Sequence, residues 1–260
     1  MIPQVGSQLW ADVRWRAGWR VQSHWALPLS RLVGANDRVR KVGSLAACER
    51  GLDDAVPSRV APEHLVVVLH GLGRTRHSMR AMGRALTASS MAVARLDYPS
   101  TRDTIEAHAS HVVDLLDNMQ TPVQLSFVTH SLGGLVVRKI LSNDRPWRSS
   151  VHRVAMLAPP NQGAALARTL DTKALRAVMG PSFVQIVRGV PQTLPAPSAP
   201  TSIIAGRIGR THTDGLVTIE ETKLEGMAEH HVVPSMHTFV MNHPAAIARA
   251  VEFLGAPHGG

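Results

Sequence analysis

Cysteine is nearly absent from the chain. Cys48 is the only one in 260 residues, which excludes an intrachain disulfide and fits a reducing compartment. Long hydrophobic runs are missing too: apolar residues make up 44% of the chain, yet no uninterrupted stretch approaches the ~18 residues that a membrane-spanning helix needs. The opening residues, MIPQVGSQLWADVRWR, hold no apolar segment behind a basic flank and no small-residue cleavage site. No secretory signal is read there, and cytoplasm is the expected location. No segment repeats at a fixed period and no tract is of low complexity, which sets aside solenoids and disordered arrays.

Lysine is scarce as well. Of 28 basic residues only Lys41, Lys139, Lys173 and Lys223 are lysines, and the formal net charge is +9. The arginines are scattered instead of clustered beside aromatic stacking platforms, so no nucleic-acid partner is expected. A solvated basic surface is the simpler reading, with anionic lipid or another acidic surface as the alternative. One concentration stands out, VRWRAGWRV, in which Val13, Trp15, Ala17, Trp19 and Val21 alternate with Arg14, Arg16, Gly18 and Arg20. Period two predicts an edge strand with an apolar face and an arginine face. A peripheral membrane contact through this Trp/Arg-rich N-terminus is the rival.

From residue 65 onward, short apolar runs alternate with helical segments. Leu65–Leu69 reads as a buried strand, followed by a glycine-containing loop and a helix with Met79, Met82 and Leu86 on its core face. Met91–Leu96 is a second strand. Helix 103–118 aligns Ile105, Ala109, Val112 and Leu116, and Val123–Val128 is a third strand. Val154–Leu157 and Ile203–Ala205 add two more. The alternation predicts an α/β fold with a mostly parallel central sheet flanked by helices on both faces. Residues 162–200 break the rhythm with a helix and then GVPQTLPAPSAP, whose prolines deny it a regular core element and suggest a cap or lid. The DYPSTRDT loop, opening at Asp97, either reaches the rim of the site or caps helix 103–118 through Ser100, Thr101 or Asp103, and the cap is the expected role.

The stretch FVTHSLGGLVV passes from buried strand through Thr-His-Ser-Leu-Gly-Gly into helix. That is the context a nucleophile elbow requires, although the turn alone is as well explained by ordinary strand-to-helix geometry. Gly133 and Gly134 supply close approach on one side of Ser131, while Thr129 stands where a small residue is usual. A serine hydroxyl needs a base, and the base needs an orienting acid. In a parallel sheet with the nucleophile after a middle strand, the acid follows a late strand and the histidine the last one. Asp214, before the turn-forming Gly215, and His237, in PSMHTF after HVV (231–233), occupy those places. His230, His231 and His243 compete as bases, and Glu220 and Glu221 as acids, from less suitable positions. The two oxyanion donors are expected to be the backbone amides of Leu132 and of Leu72, the latter flanked by Gly71 and Gly73. His70 is read as a structural partner of that loop, and Met79 and Met82 as core.

HGLGRT (70–75), DYPST (97–101), THSLGG (129–134), LAPPNQG (157–163), DGLV (214–217) and MHTFVMNHP (236–244), taken in order, resemble the lipase/esterase branch of the α/β-hydrolase superfamily. Bacterial lipase-like hydrolases and deacylases similar to GPI-inositol deacylase are the nearest in pattern. The resemblance spans about residues 65–255. It implies Ser131 as nucleophile, Asp214 as acid, His237 as base, and Leu72 with Leu132 as oxyanion donors. The expected layout is an N-terminal extension, 1–60, of strand or hairpin plus helix packed on the core, then a catalytic domain, 61–260, with a cap insertion at about 162–200. The expected activity is hydrolysis of carboxylic esters, with a small-molecule or lipid acyl ester as substrate, by an acyl-enzyme route needing neither metal nor organic cofactor. A thioesterase, amidase or acyltransferase on the same triad, or a non-catalytic ligand-binding protein of this fold, are the alternatives.

Overall fold

The computed structural model describes residues 8–57, 60–169 and 171–256. The Trp/Arg stretch forms two strands where its alternation predicts one. β1 (Trp10–Arg16) and β2 (Trp19–His24) pair antiparallel with Arg16 opposite Trp19. Ala17 and Gly18 both take positive φ, 47° and 83°, as a tight two-residue hairpin requires. β3 (Ser30–Val33) and β4 (Val39–Gly43) complete a four-stranded sheet in the order β1-β2-β3-β4. Helix α1 (Leu45–Ala55), whose first turn is capped by the Ser44 hydroxyl, lays Cys48 and Leu52 on Val21 and Leu32.

The basic and aromatic side chains of this sheet are largely committed to each other and to nearby acids. Arg14 pairs with Glu49 and Arg16 with Asp53. Arg31 lies 4.2 Å from the Trp10 ring centroid and Arg40 5.9 Å from that of Trp19. Trp15 packs against the main core.

That core surrounds a second sheet. Its strands are β5 (His64–Leu69), β6 (Ala92–Leu96), β7 (Gln124–His130), β8 (Val151–Leu157), β9 (Thr201–Gly206) and β10 (Glu229–Val233). All pair in parallel, in the order β10-β9-β8-β7-β5-β6. The unbroken apolar runs follow from burial on both faces. In β5, Leu65, Val67 and Leu69 enter one cluster and Val66 and Val68 the other.

The first face is covered by α3 (Ile105–Asp117) and α4 (Leu132–Leu141), the second by α2 (Arg80–Ala88) and α9 (Pro244–Gly255). A short 3-10 turn, Arg76–Met79, precedes α2. Met79 and Met82 are fully buried in the second cluster.

Between β8 and β9 the chain makes an excursion through α5 (Ala165–Thr169), α6 (Lys173–Val187) and α7 (Val190–Thr193). The proline-rich stretch is therefore not wholly irregular: Pro191 sits in the first turn of α7, where its missing N–H has no intrahelical partner to lose. α6 is two helices joined at Gly180, whose φ of 80° and ψ of −173° interrupt the spiral just before Pro181. Arg138, on α4, is buried and holds the far end of the excursion. Its guanidinium donates to the carbonyls of Leu194, Pro195 (3.2 Å) and Asn161 (3.1 Å) and to the Asn161 side-chain oxygen (3.2 Å). A last short helix, α8 (Ile219–Thr222), lies between β9 and β10. Among the described residues no helix is long and apolar enough to cross a membrane.

Candidate active site

The β7–α4 junction dictates the position of Ser131. Its φ of 52° and ψ of −120° fall where a non-glycine residue is strained. Two glycines make the tight turn sterically possible. A Cβ on Gly133 would sit 2.9 Å from the Leu69 carbonyl oxygen, and one on Gly134 3.0 Å from Pro159 and 3.4 Å from the Thr129 hydroxyl. Gly134 thus gives room to the threonine that departs from the small-residue pattern.

Ser131, His237 and Asp214 come together in one hydrogen-bonded line. The Ser131 hydroxyl donates to His237 Nε2 at 2.9 Å, and His237 Nδ1 donates to Asp214 Oδ2 at 2.7 Å. Asp214 is buried, and its other oxygen accepts the amides of Leu216 (3.0 Å) and Val217 (2.8 Å). A carboxylate so satisfied fixes the His237 tautomer, leaving the Nε2 lone pair toward the serine. The backbone reinforces the pairing, because the His237 amide donates to the Asp214 carbonyl at 2.9 Å. Gly206, at the end of β9, permits the approach: a Cβ there would lie 2.7 Å from the Ser235 carbonyl oxygen and 2.9 Å from the Asp214 Cβ.

The competing residues have other positions or partners. His230 Nε2 is 2.9 Å from the Thr222 hydroxyl, His231 faces Glu229 at 3.2 Å, and His243 sits at the N-cap of α9. Glu221 closes a capping box with Thr218, and Glu220 pairs with Lys223 at 2.8 Å.

The amide of Leu132 is the first of α4, one of the four that a helix leaves without an intrahelical acceptor. Leu72 follows Gly71, whose backbone abuts Ser131: a Cβ on Gly71 would lie 3.1 Å from the Ser131 Cβ and 2.7 Å from His130 Nδ1. The β5–α2 loop that carries Leu72 is tied down by residues that sequence reasoning assigns otherwise. Thr104, not Ser100, Thr101 or Asp103, caps α3 by accepting the Ala107 amide. Ser100 instead accepts the Gly73 amide at 3.0 Å, and Asp97 accepts the Arg76 amide at 2.9 Å. The DYPST segment therefore braces the 71–76 loop. His70 is fully buried within this brace. It stacks on Tyr98 at 4.3 Å, donates from Nδ1 to the Gly71 carbonyl at 2.9 Å, and lends its own carbonyl to the Tyr98 hydroxyl. Burial holds the His70 imidazole below its ordinary pKa, and therefore neutral.

His130, unremarked in the sequence beyond its place beside the serine, is a further neighbour. Its Nε2 donates to the His237 carbonyl at 2.9 Å, and burial, reinforced by His237, holds its pKa well below the ordinary value. It supports His237 through backbone while staying uncharged.

An ion network of buried Arg20, Arg76, Asp97 and Asp12, completed by the exposed Asp37, joins this region to the N-terminal sheet. Arg76 bonds Asp37 (2.5 Å) and Asp97 (3.0 Å); Arg20 bonds Asp37 (3.0 Å) and lies 3.8 Å from Asp97. Asp12 accepts the Asp97 amide at 2.6 Å. Burial, opposed by Arg20 and reinforced by Asp97, pushes the Asp12 carboxyl up from 3.8 to about 6. A carboxyl with a raised folded-state pKa binds its proton more tightly in the fold than in the unfolded chain. Its stabilising contribution is full below about pH 4 and lost as pH rises to about 6, at no more than about 1.4 kcal/mol per pH unit. Asp12→Asn is expected to gain stability over wild type across that window in denaturant titrations; parallel pH profiles would refute it.

Among the described residues no group of three or more His, Cys, Asp or Glu side chains is placed to hold a metal ion. Near the acid and base, Ile208, Leu216, Met236 and Phe239 are exposed apolar side chains.

Residues 41–207 match a family model described as "Domain of unknown function (DUF7379)". The match includes Ser131 and ends before Asp214 and His237. No curated protein matches the chain. Among solved structures, the mature form of Bacillus licheniformis lipase BlEst2 superposes with a TM-score of 0.61 at 14% identity, covering 76% of this chain and 95% of that one. Phospholipase PlaB from Legionella pneumophila gives 0.58 at 17%, covering 74% and 60%. The metagenomic carboxyl esterase MGS0156 gives 0.55 at 18%, covering 75% and 77%. At such identities the likeness establishes the fold, which is that of the α/β-hydrolases.

Proposed function

This chain belongs to the DUF7379 family, and we propose that it is a serine hydrolase of carboxylic esters. The observation that carries the reading is the line Asp214–His237–Ser131, with bonds of 2.7 and 2.9 Å ending on a serine at φ 52°. Ser131 Oγ attacks the acyl carbon as His237 Nε2 takes its proton, forming a tetrahedral oxyanion that the Leu72 and Leu132 amides stabilise. Collapse expels the alcohol, protonated by His237, and leaves an acyl-serine. Water, deprotonated by His237, then attacks the ester carbon, and the serine departs with its proton restored. Asp214 keeps the imidazole oriented and stabilises the imidazolium.

The exposed apolar side chains near the acid and base favour an ester with an apolar acyl or alcohol part. The lipase, phospholipase and carboxyl esterase of the same fold are consistent with that class.

Labelling with a fluorophosphonate probe tests the reading. Wild type is expected to label and to hydrolyse p-nitrophenyl butyrate, while Ser131→Ala, equally folded by circular dichroism, does neither. A labelled Ser131→Ala, or a folded wild type inert to both reagents, would remove the proposal.

A further inference from the structure

The N-terminal sheet reaches the active-site loop at a defined point. Gln8, just before β1 and only 5% exposed, uses both halves of its amide there. Its Nε2 donates to the Arg74 carbonyl, and its Oε1 accepts from the Ser100 hydroxyl (3.0 Å), the Thr101 amide (3.2 Å) and the Thr101 hydroxyl (3.3 Å). Ser100, fully buried, passes the constraint on by accepting the Gly73 amide at 3.0 Å.

Leu72 itself packs against the main core, and the Arg74 amide closes a turn onto the Gly71 carbonyl at 3.2 Å; the peptide between them has fewer restraints. Gly73 takes a φ of 66°, and a Cβ built on it would meet nothing within 4 Å. With no packing against the glycine on that side, the hydrogen bond to Ser100 is what orients the Gly73 amide within that turn. One residue earlier lies Leu72, whose amide must point at the reacting carbonyl oxygen. Steric contact of Gly71 with Ser131 and His130 fixes one side of that amide, and Ser100 with Gln8 fixes the other.

We propose that Gln8 is a positioning residue for the oxyanion loop, so that the N-terminal sheet completes the active site through the relay Gln8–Ser100–Gly73. The proposal deepens the ester-hydrolase reading and rests on it for its kinetic consequence. The relay itself is a matter of backbone order and can be read without catalysis. Asp12 supplies a second strut from the same sheet. It bonds Asp97, which in turn accepts the Arg76 amide at the other end of the loop.

Gln8→Ala in the full chain is the test, with p-nitrophenyl butyrate kinetics and amide hydrogen exchange measured on the same protein. A displaced oxyanion donor weakens transition-state binding more than substrate binding, so kcat is expected to fall about 10- to 100-fold with KM within about twofold. Exchange at Gly73 and Arg74 is expected to accelerate, while Arg76, held by Asp97, and the strands β5 and β7 keep their protection. Ser100→Ala should reproduce both effects, and combining the two changes should add little, because they interrupt one relay. Should Gln8→Ala not fold, Ser100→Ala alone carries the test.

Unchanged exchange at Gly73 would overturn the proposal whatever the kinetics. So would a loss of protection spread across the whole sheet with kcat/KM falling in step with the folded fraction. If wild type hydrolyses no ester, the ester-hydrolase reading fails separately, and exchange confined to the loop still decides whether the relay exists.

Discussion

His237→Ala is expected to lower kcat on p-nitrophenyl butyrate by about five to six orders of magnitude, and adding Ser131→Ala should lower it no further. In the proposed mechanism the two residues act as one unit in proton transfer, so removing either disables the other. The fold is expected to survive. Both backbone bonds at position 237, its amide to the Asp214 carbonyl and its carbonyl to His130, remain in the variant. Asp214 keeps the Leu216 and Val217 amides on its other oxygen. Steady-state kinetics alongside thermal melts decide the point: losses that multiply in the double variant would mean that the serine is activated by something other than this histidine.

The second large effect is structural. Gly180→Ala would place a Cβ 1.9 Å from the Thr101 carbonyl oxygen, with φ at 80° and ψ at −173°. The obstacle is backbone, which cannot rotate aside, and that region of φ/ψ space is nearly reserved to glycine. We expect a loss of at least about 3 kcal/mol in global stability or, equivalently, detachment of the second half of α6. In the latter case Phe183, Ile186 and Val187 would leave the core cluster and bind a hydrophobic dye. Val178→Ala, on the exposed side of the same helix, should be silent. A Gly180→Ala variant with a wild-type denaturation midpoint and no dye binding would contradict the docking of α6 on Thr101.

These features differ in how far the sequence announces them. The inner strands β5, β7, β8 and β9 are short, largely apolar runs buried on both sides, so they declare themselves locally, whereas the edge strand β10, only partly buried, does so less. Ser131, Asp214 and His237 can be nominated because a parallel sheet puts successive strand ends along one edge; the structure brings their side chains within hydrogen-bonding distance. The hairpin at Ala17–Gly18 is hidden because alternation continues through a two-residue turn, and only the glycine hints at it. Ser100 is misassigned for a different reason. A serine a few residues ahead of a helix has the chemistry of a cap, and nothing local distinguishes it from one whose hydroxyl faces a distant loop. Gln8 and Asp12 meet partners 92 and 85 residues away, and no periodicity encodes such a meeting.

Arg138 bears on how the β8–β9 excursion can move. Its cation is buried and solvated by four neutral oxygens, and this burial lowers its pKa to about 10. Pulling the Leu194–Pro195 end away would strip a buried charge of half its described solvation, which is far costlier than bending an exposed helix. That end is therefore the latch, fastened to the same helix that presents Ser131. The same guanidinium also holds Asn161 at the start of the excursion, so both ends of the excursion are fastened at one point. A single side chain about two helical turns along α4 from Ser131 thus draws the whole excursion into a closed loop.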